Sequence, residues 1–372
     1  MKKLITNKWL MIAMFIIFTA VFDLAVDNTS LHNRAIVVGL AIDKCEEGVE
    51  VTVQVLNPST GGIENAKNNV VVVSYKDVSV PKCIERISTK GGIQISLAYC
   101  NIVILSQEIL AVSHLSAIKY LVEIDELNTS AYLLTADKTA KEYLELEAPI
   151  AEANAYYIEQ ILSTRKNDIN LNEINLKNYL YNYYDIGGVC WLPVLSKTEI
   201  LPPRGSDTKA EKTYMLNFDQ TAIVNAQSEI FLIKDSANVG LSFAKGKVAN
   251  GAISVTNGDK KFEASVLDAK TTYKALATNK IKMECKADIM LGERSGDYLF
   301  SQPISDFELN LIKAEIERNL EAILKEIKDN NADILHFGGL LYKKFGNTFK
   351  NNITKDYVKD IEVEIEVKIK VK

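Results

Sequence analysis

Histidine is scarce and unpaired in this sequence. Its three copies, His32, His114 and His336, stand far apart, with no HExxH and no second His or Cys at ligand spacing, so no zinc site is encoded. The five cysteines, Cys45, Cys83, Cys100, Cys190 and Cys285, include no CxxC pair, and their odd number does not suit a disulfide framework. They read as buried apolar fillers, with a single bridge among them left open. Motifs for phosphate cradling and nucleophilic attack are missing too. There is no GxxxxGK[ST], no GxGxxG and no GxSxG, and the nearest string, GLSFAKG at 240–246, has the wrong spacing. A net charge of −5 leaves no electrostatic footprint for nucleic acid. The grouped carboxylates Glu315/Glu317 and Glu362/Glu364/Glu366 are explained as solvated faces of a helix and a strand. No catalytic residue, cofactor or metal is expected, and the chain leans to a binding or structural role.

Long apolar runs are also absent after the start of the chain. No stretch beyond residue 26 reaches the roughly 18 apolar residues of a spanning helix, which excludes a multi-span protein. The opening, MKKLITNKWLMIAMFIIFTAVFDLAV, is different. Its uncharged run from Trp9 to Phe22 is 14 residues, short for a span and right for the core of an export signal. Lys2, Lys3 and Lys8 hold the N-terminus in the cytoplasm, so everything after it is carried across the membrane. A buried core helix is the bland alternative, and the lack of any polar face argues against it. Cleavage sites are poor: Asp23-Leu24-Ala25 puts a charge at the −3 position, and Phe18-Thr19-Ala20 is the weaker candidate. Residues 1–26 are therefore expected to stay as an uncleaved anchor.

The 372 residues suffice for two or three domains, each with its own core. Ala35–Asp43 and Val49–Ser59 are rich in β-branched residues around a polar turn and read as a hairpin, and Val70–Tyr75 reads as a third strand. A helix starts at Ser79-Val80-Pro81 and ends at Gly91-Gly92. NIVILS, Asn101–Ser106, is a continuous apolar run of the kind a buried central strand shows. Helical spacing follows through Leu110, His114, Ile118 and Leu121, then a strand at Thr129–Asp137, a helix at Lys138–Leu146, a largely helical stretch over 151–184 and a strand at Gly187–Leu195. Residues 200–212, with two prolines and a charge cluster, read as a linker between domains 27–199 and 213–372, the latter divisible into 213–260 and 261–372. Beyond it come a hairpin over Thr221–Asp235, two or three strands in Phe262–Ile289, a long helix over Phe307–Lys328, a second helix from Asp333, and a strict alternation from Ile361 to Val371. The fold class is α+β: mixed sheets with packed helices, preceded by the hydrophobic leader.

Four stretches together resemble the Ger(x)C family, the C subunit of GerA-type spore germinant receptors. They are AIVVGLAIDK…VEVTVQVLNPS, NIVILSQEIL, TAIVNAQSEIFLIKDSANVGLSFAKGKVANGAISV with its Gly240 and Gly246-Lys247 spacing, and ADILHFGGLLYKKF before the final alternating strand. They follow the family's order over most of residues 27–372. The resemblance implies several mixed α/β domains without enzymatic activity. It places them on the outer face of the spore inner membrane, beside the receptor's A and B subunits, with contact to the germinant left open. In the family motif, Asp333 would cap its helix, Phe337 would fill a core pocket, and Gly338 with Gly339 would let another element approach closely. Two family features are missing. The lipobox cysteine falls where this chain has Ala25, so lipidation is not expected. The histidine before the central strand is replaced by the Tyr99-Cys100 neighbourhood. The rival reading is a solute-binding protein that grips a small nutrient in a cleft, for which Tyr156, Tyr157, Tyr179, Tyr181, Tyr183 and Tyr184 would be the lining.

Overall fold

The computed structural model describes residues 12–18 and 34–372, apart from 57–69, 93, 113, 125–126, 148–150, 152, 201–212, 226, 258–259, 295–303 and 355. Ala25 with most of the leader, His32 and most of the expected linker lie outside the described residues. Residues 12–18 are helical (α1), with exposed apolar side chains. Among the described residues, no helix is long and apolar enough to cross a membrane.

Strands β1 (Arg34–Cys45) and β2 (Gly48–Leu56) form the expected hairpin, and β3 (Val70–Asp77) adds antiparallel to β2. Helix α2 (Val80–Gly91) has Pro81 in its first turn and stops at Gly92, whose φ of 63° suits a residue without Cβ. β4 (Gln94–Ser96) and β5 (Ile102–Ser106) lie in succession along the other edge of β1, both parallel to it. α3 (Gln107–Val112) and α4 (His114–Glu123) lead to β6 (Tyr132–Ala136), parallel to β5. α5 (Ala140–Glu145), α6 (Asn154–Thr164) and α7 (Leu176–Tyr183) precede β7 (Cys190–Ile200), the last of the parallel strands. β8 (Thr213–Val224) and β9 (Ile230–Lys234) then join antiparallel. The result is a nine-stranded sheet in the order β3-β2-β1-β5-β6-β7-β8-β9, with β4 beside β1. The segment expected as a linker thus connects two paired strands of one sheet, with Ile200 opposite Thr213.

Every residue of β5 is buried, because helices cover both faces of this sheet. Val103 and Leu105 face a core shared with α2, α4 and α7, while Ile102 and Ile104 face a second core with Tyr143, Leu144, Ala155, Ile158 and Leu162 of α5 and α6. A Cβ on Gly39 would sit 2.6 Å from the Ala155 Cβ, so the glycine lets α6 lie close against β1. The region 151–184 is less helical than its pattern suggests. Residues 165–175, between α6 and α7, are an irregular segment with Asn167 left-handed and Asp168 holding Arg165 at 3.2 Å. Asn and Asp side chains here hydrogen-bond backbone and neighbours, which competes with helix formation.

Helix α8 (Asp235–Lys245) leads into β10 (Ala252–Asn257), β11 (Lys260–Ala277) and β12 (Lys280–Arg294), an antiparallel set. Two long strands therefore occupy the span expected to hold two or three. A crossover of α9 (Asp306–Asp329), α10 (Phe337–Phe345) and α11 (Asn347–Asn352) brings β13 (Glu362–Val371) back parallel to β12, in unbroken register from Lys280↔Glu362 to Ile289↔Val371. α9 opens on a capping box between Ser305 and Glu308 and lays Ile312, Ile316, Leu320, Ile323 and Ile327 into the core with Met283, Cys285 and Val367. The second helix starts at Phe337, four residues later than Asp333, because residues 333–336 form a turn that ends in left-handed His336. One apolar core runs from the helices of the first sheet into the second.

Candidate functional site

The turn after α9 is where the family-motif residues meet. Asn331 and His336 both take positive φ, and the turn between them brings the Asp333 carboxylate under the start of α10. It accepts from the N–H groups of Phe337 and Gly338, each at 2.7 Å, and from the Tyr357 hydroxyl at 2.5 Å. An anion at this end of a helix also meets the favourable pole of its dipole. The side chain is 2% exposed. Burial holds its carboxyl above the usual range against the pull of the three donors, and burial together with Asp333 pushes the Tyr357 phenol far up. Asp333 therefore works as a fixed structural acceptor.

Three close approaches join this turn to the loop after α7. A Cβ on Gly338 would lie 2.6 Å from the Tyr357 hydroxyl and 2.9 Å from Ile186, and one on Gly187 would lie 2.8 Å from the Asp333 Cβ. His336 Nδ1 sits 2.6 Å from the Asp185 carboxylate. Phe337 is buried edge-on against Tyr273 of β11, whose hydroxyl donates to the Ala244 carbonyl at the end of α8. Asp333, Phe337 and Gly338 thus form one joint between the two sheets. Tyr357 and Asp185 belong to it as well, but their sequence surroundings have no periodicity that would single them out.

Helix α8 is the second joint. Gly240 lies against α9 so closely that a Cβ would come 1.9 Å from the Asn319 carbonyl oxygen. Gly246 ends α8 with φ 65° and packs on the Thr271 backbone. On the helix's other side, buried Asn172 donates to Asn238 Oδ1 at 3.0 Å and accepts from Ser242 at 3.1 Å, while Thr221 donates to Asn238 at 2.6 Å. Fully satisfied buried networks of this kind fix one packing arrangement.

Between these joints lies a cleft of about 960 Å³, walled by α7 and β7 on one side and by the end of α8, β11 and the 334–336 turn on the other. The six tyrosines considered as a nutrient lining are not in it. Tyr156 and Tyr157 pack into the core of one sheet face, whereas Tyr179 is buried and Tyr183 half-buried on the other, and Tyr181 and Tyr184 point to solvent. His114 is buried under Tyr179 and Tyr183 with Nδ1 on the Leu110 carbonyl, and burial lowers its pKa, so it stays neutral. Glu315 and Glu317 pair with Arg318 and Lys313 on the surface of α9. Among the described residues no group of His, Cys, Asp and Glu could hold a metal ion, and the five cysteines are free.

Comparison with known proteins agrees with this architecture. Residues 27–197 match the spore germination protein N-terminal domain, and residues 221–372 match the spore germination B3/GerAC-like C-terminal family. Spore germination protein KC of Bacillus subtilis (strain 168) is 20% identical over 362 residues, covering 90% of this chain and 88% of that protein. The crystal structure of the GerBC protein superposes with a TM-score of 0.55 at 14% identity, covering 90% of this chain and 96% of that one, a likeness of fold.

Proposed function

Because the chain belongs to the Ger(x)C family of spore germination proteins, we propose that it serves as the non-catalytic C subunit of a nutrient germinant receptor. In this reading it is attached to the outer face of the spore inner membrane beside the A and B subunits and is needed for receptor assembly or signalling. The observation that carries the reading is the pair of family matches in tandem over nearly the whole folded body. The site geometry supports a mechanical role: Asp333, Phe337 and Gly338 fasten the two sheets to each other. Membrane attachment is supported by α1, where Ile12, Met14, Phe15, Ile16, Ile17 and Phe18 are 49–69% exposed and suited to cover by lipid.

With Ala25 where the family has its lipidated cysteine, no diacylglycerol anchor forms, and attachment falls to the leader itself. Mass spectrometry of the spore membrane fraction is expected to find an N-terminus near Met1, and affinity capture of the chain from detergent-solubilised membranes to bring down two further membrane subunits. A soluble chain starting at Val21 or Val26, captured alone, would overturn the proposal. The same reading expects no saturable binding of a germinant amino acid or sugar to this subunit by itself in isothermal titration.

A further inference from the structure

The cleft between the sheets has a lining that the assembly role does not use. Four lysines, Lys166, Lys245, Lys247 and Lys270, face two carboxylates, Glu173 and Asp268. Lys270 already holds Asp268 at 3.0 Å, which leaves three ammonium groups against Glu173. The Lys245 ammonium lies 4.9 Å from the centre of the Trp191 ring and 3.4 Å from Asn172 Oδ1. The wall thus carries more ammonium groups than carboxylates.

We propose that this cleft binds a small dianion, a dicarboxylate or phosphate compound, whose oxygens are held by the Lys245 and Lys247 ammonium groups. The charge excess of the lining, four lysines over two carboxylates, matches a ligand with two negative charges. The volume, about 960 Å³, leaves room for an organic body behind the charged groups. Burial lowers the Lys245 pKa to about 8, and an anion seated beside it would restore its charge, so binding near pH 8 takes up a proton. This inference stands apart from the receptor assignment and would survive its failure.

The sequence has two tryptophans, Trp9 in the leader and Trp191 in the cleft. In the full-length Trp9→Phe protein in detergent, Trp191 is the sole indole, so its emission reports on the cleft. Succinate and inorganic phosphate are titrated separately at ionic strength held constant with sodium chloride, with glucose and alanine as neutral comparators and isothermal titration in parallel. At least one dianion is expected to saturate, with affinity at least tenfold weaker in Lys245→Gln and unchanged in Lys286→Gln, which lies on the outer face of the second sheet. Saturation by succinate alone assigns an organic dicarboxylate, and saturation by phosphate a phosphate compound. If Lys245→Gln does not fold, Lys247→Gln at the exposed rim is expected to weaken binding at least threefold. Saturation by neither dianion, saturation by a neutral comparator, or a folded cleft-lysine variant with unchanged affinity would overturn the proposal.

Discussion

The nine-stranded sheet is covered by helices on both faces, whereas the four-stranded sheet has α9 on one face and water on the other. The two solve the problem of strand order differently. In the first sheet, β1, β5, β6 and β7 are pinned by apolar packing above and below, and polar side chains are few. In the second, the open face carries charge: Lys282 meets Glu366 at 2.6 Å, Lys368 meets Glu284 at 2.9 Å, and Lys372 meets Asp288 at 2.9 Å. Exposed pairs like these contribute little stability, yet their arrangement selects a direction. β13 is acidic at its start and basic at its end, and the parallel register sets Lys280, Lys282 and Asp288 opposite Glu362, Glu364 and Lys370, which outnumber the like pairs Glu284 with Glu366 and Lys286 with Lys368. Reversed, Lys368 and Lys370 would lie near Lys280 and Lys282, and like charges across a sheet repel.

The sharpest way to break this contrast is on the covered face of β13. Val367 is 3% exposed and opposite Cys285. Val367→Lys would bury an unpaired ammonium among α9 side chains, a penalty of several kcal/mol, on the order of the stability of a whole domain. Loss of the cooperative unfolding of the second sheet is expected in circular dichroism melts. An unchanged Tm would mean that this face of β13 is not covered.

A smaller loss is expected at the joint that ties the two sheets into one body. Asp333→Ala strands two backbone N–H groups and the Tyr357 hydroxyl, each worth about 1–3 kcal/mol when buried without a partner, so a loss of at least about 3 kcal/mol is expected in urea unfolding. Asp333→Asn, which keeps the shape and one acceptor oxygen, should lose less. A change below about 1 kcal/mol for the alanine variant would show that the joint does not hold the sheets together.

Next in size is the contact of α8 with α9. Gly240→Ala forces the helices apart at the Asn319 carbonyl, and overpacking of this kind costs about 1–3 kcal/mol. Gly91→Ala, with nothing within 4 Å of the added Cβ, is expected to stay within about 0.5 kcal/mol in the same measurement. Equal effects would mean that Gly240 is not a packing position.

Those positions also mark where the sequence was readable. NIVILS and the Ile361–Val371 alternation carry their burial pattern on their face, since a strand covered twice is apolar throughout and one covered once alternates. Residues 165–175 interrupt the expected helical stretch because Asn172 spends its side-chain hydrogen bonds on Asn238 and Ser242 of α8, and the Asn170 carbonyl accepts from Asn238 as well. The prolines and charges of 200–212 read as a linker, and the strands that flank them, β7 and β8, pair antiparallel. Asp333 was legible as a helix cap from its place before an apolar run. Its partner Tyr357 was not, nor was the Asp185 carboxylate that meets His336, because contacts across 24 and 151 positions leave no trace in local spacing.

The smallest effect tests the open face through pH. Hydrogen bonds from Lys282, and then from Lys368, hold the Glu366 carboxyl at about 2, below its usual 4.5. In the unfolded chain those lysines are gone, so between pH 4.5 and 2 the unfolded state binds a proton that the folded state does not. The contribution of Glu366 is therefore fully present above about pH 4.5 and is lost as the pH falls through about 2. Glu366→Gln cannot titrate. Its Tm is expected to lie slightly below that of the parent at pH 7, with the gap narrowing steadily below pH 4.5 and closing near pH 2. Because the group faces solvent, 1 M sodium chloride should shrink the gap at pH 7 as well. A gap that stays constant from pH 7 to pH 2 would show that Glu366 acts through its shape alone and that the charge ladder contributes nothing to the parallel register of β13.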